Sequence, residues 1–129
     1  MTAAELREWC LSMPGAEETF PFGEAVSVFK THGKMFALTR LDHEPLEVSV
    51  KCEPDLGAQL RASYAAIAPG YHLNKRHWIT ITLNADVSDA QVRDLVEDSY
   101  DLVRPHRRGG ASASSRRGAP PQDRPRPRR

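Results

Sequence analysis

The chain has 129 residues and a mass of 14.4 kDa, which suits one domain with a core of its own. Its net charge of +1 hides a split: residues 1–104 carry 10 Lys+Arg against 16 Asp+Glu, and residues 105–129 carry 8 Arg against 1 Asp. No run approaches the ~18 apolar residues of a membrane span. No basic and apolar leader opens at Met1. Two cysteines are too few for a disulfide framework, so Cys10 and Cys52 read as reduced thiols in a cytoplasmic protein.

Thr2-Ala3-Ala4-Glu5 is a capping box, in which each side chain can satisfy the other residue's amide. Leu6, Trp9, Cys10 and Met13 then follow helical spacing, and Pro14-Gly15 ends the helix. Residues 16–51 read as sheet. A short, irregular strand over Glu17 to Phe22 comes first. Ala25 to Lys30 alternates, and Thr31-His32-Gly33-Lys34 is a tight turn with Gly33 at positive φ. Met35 to Arg40 follows, then a loop, then Leu46 to Cys52 with Leu46, Val48 and Val50 on one face.

Pro54 suits the first turn of a short helix edged by Leu56 and Leu60. Tyr64 to Tyr71 is apolar but broken by Pro69-Gly70, and its class stays open. Trp78 to Leu83 alternates, with Ile79, Ile81 and Leu83 on one face and Trp78, Thr80 and Thr82 on the other. Ser88-Asp89-Ala90-Gln91 is a second capping box. It opens a helix with Val92, Leu95, Val96, Ser99, Leu102 and Val103 at helical spacing, ended by Pro105. Residues 105–129 hold five Pro, three Gly, three Ser and eight Arg, with no large apolar residue, and read as a disordered basic tail. Helix, three or four strands, helix, strand region, helix predicts a two-layer α+β sandwich over 1–104. The sheet is antiparallel, with helices on one face and solvent on the other.

The densest polar cluster is His72-Leu73-Asn74-Lys75-Arg76-His77-Trp78. Cations beside an aromatic on a sheet face suit phosphate contact with base stacking, although Trp78 could equally tuck under a neighbouring element. His72 and His77 lack metal-ligand spacing, and no metal or cofactor is expected. A Cys52 nucleophile with His72 or His77 as base is conceivable, but a strand-end cysteine is more often a small buried hydrophobe. Glu5, Glu8, Glu17 and Glu18 could hold a hard cation weakly, yet a solvated face explains them as well. With no phosphate loop or nucleophile elbow, the chain reads as non-enzymatic.

Four segments resemble the MmcQ/YjbR family. They are Pro14-Gly15 through Phe20-Pro21-Phe22-Gly23, the hairpin Gly33-Lys34-Met35-Phe36-Ala37, the run Tyr71-His72-Leu73-Asn74-Lys75-Arg76-His77-Trp78-Ile79, and Ser99-Tyr100-Asp101-Leu102-Val103. The likeness spans about residues 3–104 and leaves the tail outside. It implies an α+β fold similar to the frataxin (CyaY-like) and secretion-chaperone architectures. It also implies DNA binding of the kind described for the family as a double-wing fold. Carried onto this chain, the contacts are His72, Asn74, Lys75, Arg76, His77 and Trp78, with the 31–34 turn and its Lys34 as a wing. No catalytic residue is carried over. An acidic body binds DNA only if Lys30, Lys34, Lys51, Lys75 and Arg76 converge, with the arginine tail adding long-range attraction. The alternative function is a small-ligand or protein-binding module, its aromatic groove formed around Trp78, Tyr71 and Phe29.

Overall fold

The computed structural model describes residues 1–70 and 73–105. Tyr71, His72 and the arginine-rich stretch 106–129, read above as disordered, lie outside the described residues. Among the described residues three helices, α1 (Ala3–Leu11), α2 (Pro54–Ser63) and α3 (Asp89–Val103), cover one face of a six-stranded antiparallel sheet. The strands are β1 (Glu17–Thr19), β2 (Ser27–Thr31), β3 (Lys34–Thr39), β4 (Glu47–Lys51), β5 (Ile67–Pro69) and β6 (Trp78–Thr82), in the order β1-β2-β3-β4-β6-β5. The α+β class and the single helical layer agree with the sequence.

Local chemistry explains most boundaries. At α1 both capping bonds form: Glu5 N–H donates to Thr2 Oγ1 at 3.1 Å and Thr2 N–H to Glu5 Oε1 at 2.8 Å. The β2–β3 turn places both His32 (φ 53°) and Gly33 (φ 77°) in the left-handed region, as a two-residue hairpin with right-handed strand twist requires. The segment left open in the sequence holds β5, an edge strand. Pro69 sits there without breaking a ladder, because an edge has one side with no partner to bond. Only half of the second capping box forms: Gln91 N–H donates to Ser88 Oγ at 3.2 Å, while the Gln91 carboxamide donates to Tyr64 Oη at 2.7 Å. Leu102, placed on the helical stripe by its spacing, is 37% exposed at the stripe's margin, and Tyr100 is buried instead.

The core lies between the helices and the sheet. Leu6, Cys10 and Met13 share one buried cluster with Phe29, Val48, Val50, Ile79 and Ile81 of the sheet and Val92, Val96 and Val103 of α3. A β-bulge shapes its centre. Phe29 pairs with Ala37 and Lys30 with Met35, so Phe36 is an extra residue on β3. The bulge lets Phe36 and Ala37 both join the core, where Phe36 meets Tyr100 edge to face at 5.4 Å. It also leaves a backbone gap, which Ser99 fills. The Ser99 hydroxyl donates to Phe36 O at 2.5 Å and accepts from Lys51 N–H at 2.8 Å, stitching β3 to the end of β4 from within α3.

The sheet's second face departs from the expected solvated surface. Ser49 and Thr80 are buried at its centre and share a 2.8 Å hydrogen bond between their hydroxyls. Two short side chains paired with each other, between longer ones from adjacent positions, lose their water even without a covering layer.

Candidate functional site

The strands of an antiparallel sheet bring alternate chain ends together, and here the cations gather at one of the two ends. Lys30 lies near the end of β2, Lys34 opens β3, Lys51 ends β4, and Asn74 to His77 lead into Trp78 at the start of β6. Lys30 follows core-facing Phe29, and Lys51 follows core-facing Val50, so the pleat turns both toward the face without helices. Lys51 stands directly opposite Trp78 in the ladder. Lys30, Lys34, Lys51, Lys75 and Arg76 therefore share one end, as the sequence reading requires. On the strand side their one acidic neighbour by register is Glu17, opposite Lys30. Glu53 and Asp55 belong to the start of α2, in the helical layer. None of the five cations forms a salt bridge with a described residue.

The loop before β6 is built from its own polar groups. Asn74 Oδ1 accepts from Arg76 N–H at 2.9 Å, and His77 N–H donates to Asn74 O at 3.2 Å. The Lys75 ammonium donates to Gly70 O at 3.1 Å, tying the two sides of the loop together. His77 O accepts from Cys52 N–H at 2.8 Å, which docks the loop on the end of β4. Asn74, Lys75 and His77 thus hold the loop's shape, while the Arg76 side chain is exposed and unbonded among the described residues. His72 lies outside the described residues.

Trp78 lies on the face expected from the alternation, beside Lys51 and on the side of Thr80, and at 9% exposed it follows the tucked reading left open in the sequence. Gly70 backs against it: a Cβ at position 70 would come within 2.6 Å of the Trp78 Cβ. A side chain so covered offers little surface for stacking a base. Phe29 is fully buried under the helices, on the opposite face from Trp78, so the two cannot line one groove. On the second face, toward the other end of the sheet, Leu38, Arg40, His43, Glu47, Ser49 and Thr80 line a hollow of about 50 Å³. That is room for a water or two rather than a drug-sized ligand.

Cysteine and carboxylate chemistry find less support. Burial pushes the Cys52 thiol up to about 12 from an ordinary 9.0, with Asp98 and Glu53 adding and Arg61 opposing. Burial, with Glu18, does the same at Cys10. Such thiols stay protonated at neutral pH and are poor nucleophiles. Glu5 is engaged in the α1 cap, where the Thr2 amide holds its carboxyl below the usual range. Glu18 accepts from Arg7 at 2.8 Å and from Ser27 at 2.8 Å. Among the described residues no group of three His, Cys, Asp or Glu side chains converges on a metal position.

Sequence reading missed Ser99 as a bridge and Gly70 as a close-approach point. A hydroxyl inside the otherwise apolar stripe of α3, and a glycine just before the polar run, were the available signals.

Known proteins are similar to this chain in architecture and sequence. The YjbR family model matches residues 11–102. The chain is 38% identical over 93 residues to YbdF of Escherichia coli O157:H7, covering 72% of this chain and 76% of that one. It is 34% identical over 100 residues to YjbR of Escherichia coli K12, covering 78% and 85% respectively. Among solved structures, the Deinococcus radiodurans protein DR2400 superposes with a TM-score of 0.75 at 42% identity, over 79% of this chain and 78% of that one. A Pseudomonas syringae protein superposes with a TM-score of 0.70 at 26% identity, over 81% of this chain and all of the other. From a match that includes the bulged hairpin, the loop before β6 and most of α3, the chain belongs to the YjbR family.

Proposed function

We propose that this protein binds the phosphate backbone of DNA, without enzymatic activity, through the cationic end of its sheet. One observation carries the reading: Lys30, Lys34, Lys51, Lys75 and Arg76 come from separate segments of an acidic body, meet at one sheet end, and have no salt-bridge partner among the described residues. Unpaired cations gathered on one side of a net-negative domain suit a polyanion, because each phosphate neutralised releases condensed counterions. The hairpin tip at 31–34 would reach forward as a wing, with Lys51 and Arg76 farther along the same sheet end. The eight arginines of residues 105–129 would add long-range attraction. With Trp78 covered, backbone contact replaces base stacking, so the affinity is largely indifferent to sequence. The ligand-groove reading has less to stand on, since Phe29 and Trp78 occupy opposite faces.

The test is fluorescence anisotropy with labelled duplex DNA across a salt series. Lys51→Ala with Arg76→Ala is compared with the parent, both in the full chain and in a chain ending at Arg104. The pair should lower the slope of log K against log salt by about 2, which is about 1 for each phosphate left without its cation. An unchanged slope, or loss of all binding on removal of 105–129, would move DNA affinity from the folded body to the tail.

A further inference from the structure

At the other end of the sheet, the β1–β2 connection exposes two aromatic rings. Phe20 is 49% and Phe22 64% exposed, with Pro21 between them. The turn has a defined frame: Gly23 N–H donates to Phe20 O at 3.2 Å, Val26 N–H to Gly23 O at 3.1 Å, and Gly23 takes φ 110°. Proline fixes a further dihedral. A framed turn presenting two phenyl rings is a surface made for a partner, since large aromatics in water gain by being covered. This end of the sheet is acidic. Glu24 lies in the turn itself, and the 40–46 loop at the same end carries Asp42 and Glu44 against Arg40.

Aromatic rings at an acidic end of a sheet suit a peptide in which proline and arginine alternate. Proline packs on phenyl faces with little conformational entropy left to lose, and guanidinium groups stack on rings or pair with carboxylates. This chain contains such a segment: Pro120-Pro121-Gln122-Asp123-Arg124-Pro125-Arg126-Pro127-Arg128-Arg129, with four prolines, four arginines and one aspartate. Fourteen residues, 106–119, separate it from Pro105. At ~3.3 Å each they reach up to about 45 Å, more than the diameter of a domain with a radius of gyration of ~13 Å.

We propose that residues 120–129 dock in cis on the Phe20-Pro21-Phe22 turn. Docking would use the end of the sheet away from the cationic site, although DNA would compete for the same four arginines. The test uses the full chain without DNA. Amide ¹H–¹⁵N spectra at low salt are compared between the parent and a variant with Arg124, Arg126, Arg128 and Arg129 all replaced by Ala, changes that leave residues 1–105 intact. Expected are shifts confined to residues 19–26 and the 40–46 loop, unchanged on tenfold dilution and at least halved by about 0.5 M salt, where charge attraction is screened within a few ångströms. Phe20→Ser with Phe22→Ser should remove the response in the 40–46 loop. Amides at 19–26 that ignore the four arginines would overturn the proposal and leave the turn to another partner. Shifts that fade on dilution would also overturn it, in favour of the same segment from a second copy.

Discussion

The two ends of the sheet use charge in opposite ways. At the acidic end, charged groups serve the fold. Asp86 accepts from Ala65 N–H at 2.8 Å and Ala66 N–H at 3.0 Å, holding the approach to β5. The Met1 ammonium donates to Asn84 at 2.6 Å and pairs with Asp89 at 3.1 Å, fastening the start of α1 beside the start of α3. At the cationic end, neutral groups make most of the joints: Ser99 across the bulge, Asn74 inside its turn, and Gly70 against Trp78. Of the five cationic side chains there, only that of Lys75 makes a hydrogen bond among the described residues, to Gly70 O. A charge that holds the chain in place has a structural reason to exist. Lys30, Lys34, Lys51 and Arg76 make no such bond among the described residues, and they are the charges the proposed phosphate contact would use.

The largest expected effect tests the neutral joint. Ser99→Ala leaves the Phe36 carbonyl and the Lys51 amide without their buried partner, at about 2–4 kcal/mol of folding stability. Urea unfolding followed by Trp fluorescence measures it. A loss under about 1 kcal/mol would mean that the bulge closes by other means.

Asp86→Ala tests the acidic end. Two backbone amides lose a charged acceptor near the surface, so the cost should be about 1–2 kcal/mol. Asp86→Asn keeps one acceptor oxygen and should retain roughly half of that. If both variants match the parent in urea unfolding, the carboxylate is not what holds β5, and the contrast between the ends narrows.

The legibility of these features follows from the range of the interactions behind them. Thr2 and Glu5 lie three residues apart and find only each other, so the first cap is complete and readable. Ser88 and Gln91 have the same spacing, but Tyr64, distant in sequence, captures the Gln91 carboxamide. Period-two alternation places Trp78 on the second face correctly, yet cannot show that Gly70 passes close against it. The same alternation fails at Phe36 and Ala37, because the bulge turns both toward the helices. Lys75 and Arg76 stand out as neighbours in the chain. Lys30 and Lys51 join them only through strand order and register, which become definite once β6 is known to lie beside β4.

The smallest expected effect is the sharpest test of the comparison. Lys51→Ala with Arg76→Ala removes two half-buried or exposed cations that form no salt bridge with a described residue. Surface changes of this kind alter stability by no more than about 0.5 kcal/mol each. Relief of repulsion among neighbouring cations works in the variant's favour, and removal of the aliphatic stem of Lys51 beside Trp78 works against it. Thermal and urea unfolding should therefore leave this variant near the parent, while Asp86→Ala is clearly weakened. That pattern separates the two kinds of charge by energy alone and makes any loss of DNA affinity in the same variant a property of the surface. A loss above about 1 kcal/mol would instead make Lys51 or Arg76 part of the scaffold, and the cationic end would no longer differ in kind from the acidic one.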